Sequence, residues 1–202
     1  MRLNKDTKII GTNVILVPYK EKHVLKYHNW MQSIELRNLT ASEPLSLQEE
    51  YDMQRSWLID EDKCTFIILD RATYETTKDE VFSMIGDVNL FFANSDDRLS
   101  AEAEIMIAEH SYRGKGRGSE AILHMFLYSI DFINVKQFIV KIQKSNKVSI
   151  EMFLKIGFTE IEESSVFNEI TFVKVVGPAW IEWINKTIPI HEVLNENSEG
   201  LV

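Results

Sequence analysis

Apolar residues recur along the chain with two alternating periods, and the switches between them mark out the elements. Residues 9–19, with Val14-Ile15-Leu16-Val17 running into Pro18, form a β-branched stretch that reads as a first strand, ended by a residue that cannot extend a ladder. Over 21–32 the period changes. Val24, Leu25, Tyr27, His28 and Met31 fall at helical spacing, which places His23 and His28 on a helix surface or core edge rather than in a metal site. Residues 38–44 are a polar connection. Ser46-Leu47-Gln48-Glu49 then forms a capping box for a second helix reaching residue 58, with Met53 and Trp57 as inner anchors and Trp30 facing them.

Lys63–Asp70 is the next strand, and 71–80 reads as a polar surface loop. Met84–Phe92 is a strand around Gly86, a glycine that marks a bulge or a close backbone contact. Turn residues fill 94–100. In the strand over 102–108, alternation puts Glu102, Glu104 and Met106 on one face and Ala103, Ile105 and Ile107 on the other. Carboxylates on so apolar a strand face either solvent at an edge or a cleft.

A helix over 119–133, with Ala121, Ile122, Met125, Phe126 and Ser129 inward, leads to a strand over 136–143. This is a βαβ crossover, so its two strands should be parallel. Asn146 caps a helix over Lys147–Ile156 that Gly157 ends, strands at 158–161 and 166–176 close the sheet, and Gly177-Pro178 opens a short packing helix. The expected fold is α/β (α+β): a mixed central sheet of about seven strands flanked by helices. It forms one domain over 1–188, with a frayed tail over 189–202.

The 202 residues, 45% of them hydrophobic, suffice for one core. A formal charge of −9 argues against a nucleic-acid or anionic-membrane partner. The single Cys64 permits no internal disulfide, no apolar run approaches the roughly 20 residues that span a bilayer, and the first residues lack a signal-peptide core. A cytoplasmic protein without a metal is expected.

Against that acidic background Arg113-Gly114-Lys115-Gly116-Arg117-Gly118 stands out as local positive charge between a strand and a helix. Glycines let successive backbone N–H groups approach phosphate oxygens at the positive end of a helix, and the flanking arginines and lysine add charge. Gly114-Lys115 is not followed by Ser or Thr, so this is no Walker A loop, and G-x-G-x-G is not the dinucleotide spacing. Glycines that merely turn a solvated loop are the alternative.

Arg113-x-x-Gly116-x-Gly118, followed by Asn146-x-x-Ser149-x-x-x-Phe153-x-x-x-Gly157-Phe158, resembles the GNAT superfamily of N-acetyltransferases. Residues 1–4, 40–45, 64–67 and 106–109 carry the resemblance towards a tubulin-linked branch, and the bacterial ribosomal-protein N-terminal acetyltransferases lie further off. The resemblance implies the GNAT fold, acetyl-CoA as cosubstrate, and transfer to a protein amine with an N-terminal α-amine favoured. Tubulin or microtubules are the candidate acceptor. It also implies that the main chain of Met106, Ile107 and Ala108 pairs with the pantetheine arm where the Glu102 strand splays from the Phe138 strand. Gly114, Lys115, Gly116, Arg117, Gly118 and Ser119, with Arg113, would hold the pyrophosphate, and Asn146 and Phe153 would border the cofactor.

A base must deprotonate the amine, and Glu104 is the first candidate, Glu102 the second and Glu169 a third. Phe153 stands where a leaving-group tyrosine is common in the family, so the Ser149 hydroxyl is the candidate donor to the sulfur. Two other readings stay open: acetylation of a small amine, and an acetyl-CoA-binding protein that stabilises a partner without turnover.

Overall fold

The switch points of the hydrophobic pattern become element boundaries in a computed structural model, which describes residues 2–93 and 98–195. The described strands are β1 (Thr7–Ile10), β2 (Val14–Pro18), β3 (Lys63–Asp70), β4 (Met84–Phe92), β5 (Ser100–Ile107), β6 (Gln137–Gln143), β7 (Thr159–Ser164), β8 (Glu169–Val175) and β9 (Glu192–Asn195). They form one sheet in the order β7-β8-β6-β5-β4-β3-β2-β1-β9. Its pairings are antiparallel except β5 with β6, the two strands joined through the long helix Arg117–Ile133, as the crossover requires.

The sheet is larger than the expected seven strands because both ends of the chain add to it. Residues 9–19 are not one strand: the chain turns at Gly11-Thr12-Asn13, and the Gly11 N–H donates to the Val14 carbonyl at 2.9 Å, making a β1–β2 hairpin. The apolar run continues across the turn, so periodicity alone conceals it. The tail read as frayed from residue 189 instead supplies β9, which lies antiparallel along β1. Residues 196–202, and most of the turn read at 94–100, lie outside the described residues.

Helices cover both faces. One face carries α1 (Val24–Met31), α2 (Ile34–Thr40), α3 (Leu47–Ile59), α4 (Arg71–Thr77) and α5 (Glu80–Ser83); the other carries α6 (Arg117–Ile133), α7 (Lys147–Ile156) and α8 (Pro178–Thr187). The helices α2, α4 and α5 stand in or beside the stretches 38–44 and 71–80, read from the sequence as connection and loop. Side-chain caps start all three: Ser33, Asp70 and Asp79 accept from the N–H groups of Leu36, Thr73 and Phe82. Such caps stabilise a helix by about 1 kcal/mol without any apolar periodicity.

The capping box at Ser46 is present, but α3 turns an unexpected side inward. Glu50 and Gln54 are buried, while Met53 and Trp57 are half-buried and Trp57 packs edge-on against Phe91. Trp30 meets Tyr27 and donates to Glu109, within the cluster against which Tyr51 and Trp57 of α3 pack. On the opposite face the packing is dry and aromatic. Phe126 of α6 is fully buried, with ring centroids 4.3 Å from Phe138, 5.6 Å from Trp180 and 5.8 Å from Phe158. Burying such a side chain contributes roughly 1.5–3 kcal/mol.

Candidate active site

The strands β5 and β6 pair over only three positions, Ser100–Gln137, Ala101–Phe138 and Glu102–Ile139. Beyond Glu102 they part, because β5 stays in register with β4 through Ile107 while β6 stays with β8. The register between β3 and β4 shifts at Ile68/Leu69, and the Ile85 carbonyl accepts from both the Ala108 and Glu109 N–H groups. An extra residue of this kind bends a strand. Gly86 beside it is compelled by closeness: a Cβ there would lie 1.9 Å from the Met106 carbonyl oxygen.

The parting opens the sheet. On one side lies a cleft of about 230 Å³ that includes Asp87, Asn89, Glu102, Glu104 and Glu169, and on the other a groove of about 1180 Å³ runs past the glycine loop. Ile105, Met106, Asn146 and Ser149 line both, so the two spaces adjoin at the gap between the strands.

The main chain at this gap differs from expectation. The Met106 carbonyl faces Gly86 on β4, and the Ala108 N–H is already bonded to Ile85. Residues alternate sides along a strand, so the groups of Ile105 and Ile107 face the open edge, not those of Met106 and Ala108. Of these, the Ile107 carbonyl accepts from Arg113 Nε at 2.8 Å. The Ile105 main chain and the Ile107 N–H are what β5 offers there.

The glycine loop has the backbone its composition requires. Gly114 and Gly116 have φ of 69° and 78°, in the left-handed region, and Gly116 is the N-cap of the 17-residue α6. Positive helix-end dipole and exposed N–H groups therefore converge on the groove. The flanking arginines, however, do not add free charge to it. Arg113 also reaches the Ala108 carbonyl and pairs with Glu35 at 2.7 Å, and Arg117 pairs with Asp70 at 3.2 Å. These arginines fasten the loop to β5, α2 and β3. Lys115 stays exposed, and Ser119 Oγ donates to the Gly116 carbonyl at 2.9 Å, closing the first turn.

The carboxylates separate by environment. Lys141 Nζ lies 2.6 Å from Glu102, so that charge is neutralised. Glu169 accepts from Gln143 Nε2 at 3.1 Å. Glu104 opens onto the cleft, yet its carboxyl pKa is pushed up to about 7, first by desolvation from the cleft walls and then by repulsion from Asp87 and Glu102. A carboxyl balanced near neutrality can both take up and release a proton. Opposite, Asn146 Oδ1 accepts from the Ser149 N–H at 3.2 Å and starts α7, which brings the Ser149 side chain to the gap. Phe153 is buried beside it.

Asp87 and Asn89 escaped the sequence reading. They sit two apart on β4 and so share one face, directly across the ladder from Met106 and Glu104. The same two-residue spacing of polar groups that drew attention to Glu102 and Glu104 was present in Met84–Phe92, hidden among apolar neighbours.

The acetyltransferase (GNAT) domain profile matches residues 13–159. The chain is 55% identical over 172 residues to the N-acetyltransferase 9-like protein of Nematostella vectensis, covering 85% of this chain and 87% of that one. It is 47% identical to the alpha/beta-tubulin-N-acetyltransferase 9 of Drosophila melanogaster, covering 94% and 97%. The crystal structure of spermidine N-acetyltransferase from Vibrio cholerae with CoA and spermine superposes with a TM-score of 0.67 at 18% identity, over 85% of this chain and 96% of that one.

Proposed function

From the premise that the chain belongs to the GNAT acetyltransferase family and is an acetyl-CoA-dependent N-acetyltransferase, we propose that it acetylates a protein α-amine by direct attack within a ternary complex. The observation that carries this reading is the gap after Glu102–Ile139, which joins a phosphate-shaped groove to a carboxylate-lined cleft. Acetyl-CoA lies in the groove with its pyrophosphate over Gly114–Ser119 and its arm at the Ile105 and Ile107 edge. The acceptor enters from the cleft.

The amine must lose a proton before it attacks, and Glu104 is the base because Glu102 is tied to Lys141. The nitrogen–carbon bond then forms, the carbon–sulfur bond breaks, and the proton that the nitrogen sheds on becoming an amide passes to the departing thiolate. Ser149 and the N-terminal end of α7 supply a hydrogen bond and positive dipole at that sulfur. The relatives named as tubulin acetyltransferases make tubulin N-termini the acceptor of choice, in the cytoplasm.

Free-thiol release from acetyl-CoA, measured with peptides carrying tubulin N-termini, tests the reading. Release with a free α-amine, and none when that amine is blocked but a lysine remains, is the expected result. Glu104→Gln lowers kcat about 10²–10⁴-fold and leaves acetyl-CoA affinity unchanged. Cofactor binding without release on any amine would overturn the proposal in favour of a non-catalytic binder.

A further inference from the structure

Among the described residues, Asp87 and Asn89 each bring an accepting oxygen without a partner to the cleft, with the unpartnered Tyr19 hydroxyl and a Glu50 oxygen on the same face of the sheet. Asp87 and Asn89 are 2% and 5% exposed, and both line the cleft. Asn89 Nδ2 donates to Asp87 Oδ2 at 2.7 Å and the Tyr27 hydroxyl beside them also favours the charged Asp87, yet Asp87 Oδ1 and Asn89 Oδ1 stay buried without a hydrogen-bond partner. A buried acceptor left without a donor costs stability. Glu104 stands directly opposite Asn89 in the ladder, its side chain on the same face of the sheet. Lys141, whose charge acts on Glu104, is itself engaged with Glu102.

We propose that Asp87, Asn89 and Glu104 form a seat for the primary ammonium group of the acceptor, three oxygen acceptors for its three N–H donors. The inference rests on the transferase reading and adds the form in which the acceptor binds: protonated, as R–NH3⁺. Chemistry selects this occupant. Unpaired acceptors call for donors, and clustered carboxylates call for positive charge. A hydroxyl brings one donor and no charge, and a quaternary ammonium brings charge and no donor; a primary ammonium brings both in a compact group. Once seated, the ammonium passes one proton to the Glu104 carboxylate, giving R–NH2 and a neutral carboxyl, and the freed lone pair points toward the gap where Ile105 and Ser149 meet the groove. Asp87 and Asn89 bind the nitrogen, and Glu104 binds it and takes the proton.

Butylammonium and butyltrimethylammonium, equal in charge and different in N–H donors, probe the seat without acetyl-CoA. Carbon-detected NMR titration of the Asp87 and Glu104 carboxyls follows their response. The titration midpoints of both carboxyls should fall in butylammonium and stay put in butyltrimethylammonium. Asp87→Asn and Asn89→Leu should each weaken butylammonium binding by about tenfold or more, equivalent to about 1.4 kcal/mol. Equal responses to the two ions, no response to butylammonium, or binding within roughly twofold of wild type in both variants would overturn the proposal. Because no turnover is needed, a protein that seats butylammonium yet transfers no acetyl group would break the transferase reading and leave the seat standing.

Discussion

The two faces of the sheet are built on opposite terms. Against α6 and α8 the interior is aromatic and apolar, centred on Phe126, Phe138, Phe158 and Trp180. Against α1 and α3 it holds Glu50, Gln54, Asp87 and Asn89, with the Tyr19 hydroxyl and one oxygen each of Glu50, Asp87 and Asn89 lacking partners. The first arrangement stabilises the fold. The second costs stability, and a cost retained beside a cleft marks the face that handles ligand. One strand, β5, serves both: Ala101 and Ala103 pack into the aromatic side while Glu102 and Glu104 look into the cleft.

The sharpest way to break the comparison is to cut into the dry face. Phe126→Ala removes the ring around which three others pack, and a deletion of this kind costs about 3–5 kcal/mol. At this chain length that lowers Tm by roughly 6–20 °C. Chemical denaturation should show the loss, while acetyl-CoA affinity per folded molecule stays unchanged. A loss under about 1 kcal/mol would mean that the aromatic cluster is not the stabilising centre.

The same comparison predicts the opposite sign at Asp87. Burial pushes its carboxyl up to about 7, against a reference value of 3.8, with Asn89 and Tyr27 favouring the charged form only in part. A folded pKa above the unfolded one means that the native state holds the proton longer. Between pH 4 and 7 the unfolded chain releases it first, so stability falls as pH rises through that window and levels off above 7. Asp87→Asn removes this cost. The variant should match wild type near pH 4 and exceed it by a few kcal/mol at pH 8, while acceptor binding falls. A variant no more stable than wild type at pH 8 would show that the carboxylate is well solvated and that the face is less costly than it looks.

How much of this was legible depended on the kind of signal. The capping box at Ser46, the strand limits at Lys63–Asp70 and Met84–Phe92, and α7 between Asn146 and Gly157 coincide with local residue chemistry and stand where the sequence put them. The parallel β5–β6 pair followed from the crossover rule. The β1–β2 turn did not, because Gly11-Thr12-Asn13 interrupts a β-branched run too briefly to break its pattern. Nor did β9, whose four residues gain their strand only by pairing with β1. At the site, the glycine loop was visible in composition, whereas the partners of Arg113 and Arg117 were not. Glu35 and Asp70 come from distant parts of the chain, and such pairings are decided by tertiary geometry.

The smallest expected effect tests how the dry face holds the gap open. Asn146 Oδ1 accepts from the Ser149 N–H at 3.2 Å, so one amide both caps α7 and places the Ser149 side chain, which lines both spaces at the gap. Asn146→Ala should cost about 1 kcal/mol, the usual worth of an N-cap, or roughly 2–4 °C in Tm. Asn146→Asp retains an accepting oxygen and should restore stability. Turnover distinguishes capping from contact: if the aspartate variant recovers kcat along with Tm, the amide acts by holding the first turn of α7 and with it Ser149. If Tm returns and the KM for acetyl-CoA stays high, the added negative charge is felt by the cofactor itself, and Asn146 touches the ligand as well as the helix.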